Sequence, residues 1–363
     1  KNKVKYNRKF HYKRYPKIMF SDMNNKKINS IFNNLRHRKT KEGVDRIDFN
    51  PAVIQNELNN LTNQQIKILN KLSNNNLLIK GSAGSGKTII AIEAFIRAKT
   101  ECKKVLFICY SKLLALFVKE IISKQVELQE NEIISILEIL DKKDNKLYIS
   151  DTDHILNTIG TDYDYIVVDE FQDLLTIDDI KNLIEVILKN DINERGTWAF
   201  FGDIENQQTI NKIDFKKLFE HIYYTEYLLE INCRNTKEIN DYLKKRTKFK
   251  NLVKSNNIKG EVTEMIRYEN IDDKNQKLKE IIDKQIKEIG HKEYNITILS
   301  HIPYENQKFK INRQICNLNK EPFIFIKKGG IGYSSIENFK GLENNIIILY
   351  DNPTKELYLN KLY

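Results

Sequence analysis

The sequence has little with which to build a disulfide or metal framework. Its 4 cysteines, Cys102, Cys109, Cys233 and Cys316, are scattered without a C-x-x-C pair. That spacing argues against a disulfide scaffold or zinc site and for buried free thiols. The 6 histidines, His11, His37, His154, His221, His291 and His301, have no metal-ligand spacing either. No run approaches the roughly eighteen consecutive apolar residues of a membrane span, and the opening KNKVKYNRKF lacks the apolar core of a signal peptide. These absences predict a cytoplasmic protein with no membrane contact. What the chain has in excess is positive charge: 60 Lys and Arg against 49 Asp and Glu, a formal +11 over 363 residues. The balance favours a polyanionic partner, nucleic acid ahead of membrane. The length allows two or three domains.

The most informative stretch is LLIKGSAGSGKT, Leu77 to Thr88. It reads as an apolar strand, a glycine-rich turn and the start of a helix, and fits G-x-x-x-x-G-K-[ST] from Gly81 to Thr88. Gly81, Gly84 and Gly86 let the backbone turn tightly, so that successive N–H groups and a helix N-terminus face a polyanion. The expected phosphate-binding set is Gly81, Ser82, Ala83, Gly84, Ser85, Gly86, Lys87, Thr88 and Ile89. In such a loop Lys87 reaches the β- and γ-phosphates of ATP, and the Thr88 hydroxyl sits on Mg²⁺.

The remaining text has a β-α-β-α rhythm. Lys1 to Lys17 is basic, free of acidic residues and interleaved with Tyr6, Phe10, Tyr12 and Tyr15. It suits either a nucleic acid arm or a solvated surface with anchored aromatics. Pro51 opens a short helix, and Thr62 and Gln65 have capping-box spacing. Gln65 could instead present a donor and an acceptor to an adenine edge. VLFICY, from Val105, is a buried strand followed by an amphipathic helix, and a modest excursion of helix and short strand fills Ser123 to Thr161. In YDYIVVDEFQDL the strand Ile166 to Val168 ends in Asp169 and Glu170. Asp169 is placed to hold Mg²⁺ beside Thr88, and Glu170 to deprotonate the attacking water. Trp198 to Phe201 repeats the design before Gly202 and Asp203, with Gln207 or Gln208 available to sense the γ-phosphate. Arg234, where LLEINCRNTKEI turns from strand to helix, could neutralise charge on that phosphate. Further on we expect strands at Gly260–Arg267, Asn295–Leu299, Pro322–Ile326 and Ile346–Tyr350, a helix at Asn275–Ile289, and a polar loop carrying Lys340, Gly341 and Glu343.

Taken in order, GSAGSGKT, DEFQD, GD followed by Gln, NCR and FKGLE resemble the motifs of superfamily 1A (UvrD/Rep-type) DNA helicases, over roughly Leu61 to the end. The resemblance implies an α/β fold of two RecA-like P-loop domains with parallel sheets, an ATP cleft between them and small or absent accessory domains. Their implied extents are 59–227 and 228–363, behind a basic segment 1–58. It further implies ATP-dependent movement on single-stranded DNA, with RNA left open. Catalysis would rest on Lys87, Asp169, Glu170, Gln207 and Arg234, nucleotide binding on Gln65, the loop, Gly341 and Glu343, and strand contact on Tyr110, Ser111, Lys112, Ser335, Asn338 and Lys340. The sequence departs from the family where no aromatic follows Gln207 and where Glu337 replaces a histidine. KLY, Lys361 to Tyr363, resembles the opening of a further motif, and this sequence stops before that motif's arginine, which is either carried further on or missing. The stretch before Leu61 resembles the link in fused nuclease-helicase proteins, some of them antiphage, which implies a nuclease domain or subunit as partner. A nucleotide-gated sensor that controls a nuclease without unwinding is the rival reading.

Overall fold

Buried β-branched and aromatic runs account for the strands that carry the motifs. The computed structural model describes residues 63–72, 75–139, 141–143, 146–148, 156–157, 159–160, 163–174, 197–203, 223–233, 235–246, 254–255, 263–320 and 329–350. All of them fall in one compact unit, Leu61–Tyr363. The expectations for 1–58, Thr62, Gln207, Gln208, Arg234, Pro322–Ile326 and Lys361 to Tyr363 lie outside the described residues.

Helix α1 (Asn63–Leu69) precedes β1 (Leu77–Gly81), α2 (Lys87–Thr100), β2 (Val105–Cys109), α3 (Lys112–Ile122), β3 (Ile133–Ser135) and a short α4 (Ile136–Ile139). A two-stranded antiparallel ribbon follows, β4 (Asp141–Lys143) with β5 (Lys146–Tyr148). Then come β6 (Tyr165–Asp169), the single turn α5 (Phe171–Leu174), β7 (Thr197–Gly202) and β8 (Thr225–Leu229). Every residue of β2 and β6 is buried, as expected of strands covered on both faces. The sheet order is β3-β2-β6-β7-β1-β8, and every pairing is parallel. Parallel pairing brings the carboxyl ends of β1, β2, β6 and β7 to one edge, where ligands of such sheets bind. The sheet takes in Leu228 and Leu229, past the domain boundary expected at 227, because β8 pairs in register with β1 up to Gly81 opposite Leu229.

The second half begins with β9 (Ile231–Asn232), α6 (Lys237–Arg246) and β10 (Lys254–Ser255), β9 and β10 forming a small parallel pair. Residues 263–268 contain no strand, which corrects the expectation for that part of Gly260–Arg267. Helix α7 (Ile271–Asp283) continues as a π-helical turn, Lys284–Glu288. It starts earlier than expected because the Asn270 side chain caps it, accepting from the Asp272 and Asp273 N–H groups at 3.0 Å each. Strands β11 (Ile296–Ser300), β12 (Ile315–Asn317), β13 (Ile331–Ser335) and β14 (Ile346–Leu349) form a parallel sheet of order β12-β13-β11-β14. The central β13 occupies what reads as a polar loop. Gly332 lets Leu318 pack there, since a Cβ would stand 2.9 Å from Leu318 Cδ1. Its core joins Leu278 and Ile282 of α7 to Ile296, Ile298, Ile331, Tyr333 and Tyr350. Among the described residues no helix is long and apolar enough to cross a membrane.

Candidate nucleotide site

The glycine loop leaves β1 where side chains cannot fit. A Cβ on Gly81 would lie 2.5 Å from Ser85 Oγ and 2.9 Å from Leu229 Cβ. Gly84 and Gly86 take φ of 81° and 85°, the left-handed region that costs other residues 1–2 kcal/mol or so. Gly86 caps α2 without any side-chain hydrogen bond to the helix N–H groups, which leaves the positive end of a 14-residue helix facing the loop. Lys87 folds back inside, its ammonium donating to the Gly81 carbonyl at 2.8 Å and the Ser82 carbonyl at 3.1 Å. Ser82 Oγ and Ser85 Oγ are buried without a hydrogen-bond partner among the described residues. Gln65 lies behind the loop, 2 % exposed, and its amide donates to the Ser85 carbonyl at 3.0 Å. Gly86 admits it, for a Cβ there would meet Gln65 Nε2 at 2.3 Å. The glutamine read as adenine-facing thus also buttresses the phosphate loop.

The paired carboxylates stand at the end of β6. Asp169 is fully buried, and burial together with neighbouring Glu170 pushes its carboxyl up to about 7, against the opposing pull of the Thr88 hydroxyl and the Lys87 ammonium. Its Oδ1 accepts from the Glu170 N–H at 3.0 Å, while Oδ2 is buried with no donor among the described residues. Glu170 has φ 54°, a strained conformation that turns the chain sharply off the strand. Gln172 fixes its carboxylate: Nε2 donates to Glu170 Oε2 at 2.6 Å, and Oε1 accepts from the Asp203 N–H at 3.1 Å. Gly202 leaves room, since a Cβ would sit 2.5 Å from Gln172 Oε1.

The loop between β13 and β14 contributes Lys340. Its ammonium donates to Asp173 Oδ2 at 2.5 Å and lies 3.9 Å from Glu170 Oε2. Burial works against the charge, but Glu170 and Asp173 hold the group above its ordinary range. Asp173 in turn is raised by burial despite the attraction of Lys340. Gly341, φ 82°, rests on α3, with its Cβ position 2.9 Å from Leu114 Cδ2. Tyr110 faces the same junction: burial, then Asp173 and Glu337, raise its phenol. The other strand-contact candidates have local partners. Ser111 Oγ caps α3 by accepting from the Leu114 N–H at 3.2 Å, Lys112 pairs with Glu138 at 2.9 Å on the surface, and Ser335 Oγ accepts from the Asn338 N–H at 3.2 Å. Glu343 is half-buried on the same loop as Lys340. Sequence reasoning named no role for Asp173, although it stands one turn beyond Asp169 in an acidic motif.

Residues 49–190 match the family described as Type III restriction enzyme, res subunit. No curated protein matches the chain. Among solved structures the chain is similar to AMPPCP-bound DnaA from Aquifex aeolicus, at 14% identity over 51% of this chain and 52% of that one, with a TM-score of 0.31. It is similar also to Dbp5 of S. cerevisiae bound to RNA and ADP BeF3, at 13% identity over 85% and 84%, TM-score 0.46. A third is Pif1 helicase from Candida albicans, at 15% identity over 47% and 39%, TM-score 0.33. The chain spans about half the length of the DnaA structure. With the loop geometry, the family match marks residues 49–190 as an ATP-hydrolysing P-loop NTPase domain of helicase type.

Proposed function

We propose that the chain is a motor of the superfamily 1A type, which hydrolyses ATP to move on single-stranded DNA. The observation that carries this reading is Lys340: a cation from the loop between β13 and β14 lies 3.9 Å from Glu170, which in this reading brings the two halves together at the carboxylate that activates water. In this reading the halves are RecA-like domains divided just after Leu229, with ATP bound between them. Lys87 and the loop N–H groups hold the phosphates, Glu170 deprotonates the attacking water, and Gln207 and Arg234 complete the γ-phosphate contacts. Gly341 and Glu343 border the nucleotide, and Tyr110, Ser111, Lys112, Ser335, Asn338 and Lys340 line the strand path. Magnesium fits the donor set. Asp169 Oδ2 makes no hydrogen bond among the described residues, and the Thr88 hydroxyl acts on the same carboxyl group. One carboxylate and one hydroxyl, completed by phosphate oxygens, suit Mg²⁺. The ion would neutralise charge on the phosphates.

The same contact supports a second reading. While Lys340 pairs with Asp173 and approaches Glu170, it is not offered to a phosphate backbone, as expected of a nucleotide-gated sensor coupled to a nuclease. Adding single-stranded DNA separates the outcomes. A motor increases its ATP hydrolysis and displaces a paired strand, with affinity that falls steeply as salt rises. Stimulated hydrolysis without displacement identifies the sensor, and hydrolysis indifferent to DNA contradicts both.

A further inference from the structure

The crest of the phosphate loop is held from outside by the first residues of the second half. Asn232, 2 % exposed, donates Nδ2 to the Ala83 carbonyl at 3.3 Å and to Asn240 Oδ1 at 3.3 Å. Its Oδ1 accepts from the Asn235 N–H at 2.8 Å. The next residue, Cys233, donates its N–H to the Gly84 carbonyl at 2.8 Å. Gly84 is shaped to receive this grip: a Cβ would lie 2.5 Å from Asn232 Oδ1 and 2.9 Å from its Cγ and Nδ2.

These contacts matter because a peptide's carbonyl and N–H point in opposite directions. Donors that draw the Ala83 carbonyl outward turn the Gly84 N–H inward, to the side an anion must occupy. The Ser85 N–H closes the turn on the Ser82 carbonyl at 3.2 Å, so the crest has little freedom left. The grip is anchored in α6, where Asn240 is fully buried and its Nδ2 has no partner among the described residues.

We propose that Asn232 is a positioning residue that sets the peptide planes of the loop crest for triphosphate binding. This rests on the reading of the loop as the ATP site. Asn232 touches the Ala83 carbonyl and no reacting atom, so its loss acts on binding and not on the chemical step. Asn232→Asp keeps the acceptor for Asn235 and removes the donor, whereas Asn232→Ala removes both without burying a charge. Each variant is to be titrated at equilibrium with a fluorescent ATP analogue and Mg²⁺, with a thermal melt and steady-state hydrolysis alongside. Nucleotide affinity should weaken by about tenfold or more in both, with KM rising in parallel and kcat within about threefold. Asn232→Gln, which retains an amide donor, should fall between them and wild type. Wild-type affinity in folded Ala and Asp variants, or a loss confined to kcat, would overturn the proposal while leaving the ATP site standing. A wild-type chain that binds no nucleotide would overturn both.

Discussion

The two sheets treat the carboxyl ends of their strands in opposite ways. In the second sheet the polar side chains there satisfy one another. Gln307 donates to Ser300 Oγ at 3.0 Å and to the Tyr333 hydroxyl at 3.1 Å, Tyr333 donates to the Ile302 carbonyl, and Ser334 donates to Asn319 Oδ1 at 3.2 Å. At the equivalent edge of the first sheet, Ser82 Oγ, Ser85 Oγ and Asp169 Oδ2 are buried without partners among the described residues. An unsatisfied buried polar atom costs about 1–3 kcal/mol, so among the described side chains named here that cost stands at the first edge and not at the second. The difference points to where ligand chemistry sits: in the proposed function the first edge completes its hydrogen bonding with nucleotide, whereas the polar groups named at the second are already paired.

Substitutions at the open edge should therefore strike activity and those near the closed sheet stability. The largest effect is expected from Lys87→Ala, which should lower ATP hydrolysis by about a thousandfold with circular dichroism unchanged. Next is Asp169→Asn. Because the folded protein holds the Asp169 proton up to about 7, metal-free stability is greatest in acid and declines as pH rises through the window from the ordinary carboxylate range to about 7. The Asn variant loses that decline. At pH 8 without magnesium it should be more stable than wild type and melt at a higher temperature, while losing hydrolysis. Gln172→Leu frees the Glu170 carboxylate and should lower kcat about tenfold with KM within about twofold. The smallest effect belongs to the second half. Arg313 donates to Asp283 at 2.6 Å and to Glu293 at 2.7 Å, and with Lys287 holds the Asp283 carboxyl below its usual range. That contribution is present above the ordinary carboxylate range and is lost as pH falls through the lowered value. Arg313→Ala should lower the melting temperature by about 1 °C at neutral pH and leave ATP hydrolysis unchanged. A loss of hydrolysis there would erase the contrast between the sheets.

How much of this was legible in the sequence follows from what each residue's neighbours are. The loop was readable because Gly81, Gly84 and Gly86 mark backbone that no side chain fits. The acidic edge was readable because the apolar run Ile166 to Val168 ends abruptly in two carboxylates. Strand β13 was not, since Gly332, Ser334 and Ser335 resemble a turn until Leu318 is seen filling the space over Gly332. The strand expected at Gly260–Arg267 failed over its described residues for the converse reason, as Met265 and Ile266 are exposed and pair with no sheet. Partnerships across long separations were also hidden. Nothing local to Lys340 announces Asp173, 167 residues away, and nothing local to Asn232 announces Ala83, 149 residues away.

The most direct test of the central claim is steady-state ATP hydrolysis by Glu170→Gln beside wild type, with nucleotide binding measured on the same samples. Removing the carboxylate proposed to activate water while keeping an amide for Gln172 should leave binding within about threefold and reduce hydrolysis by about a hundredfold or more. Hydrolysis at the wild-type rate would contradict the assignment of the open edge as the site of chemistry.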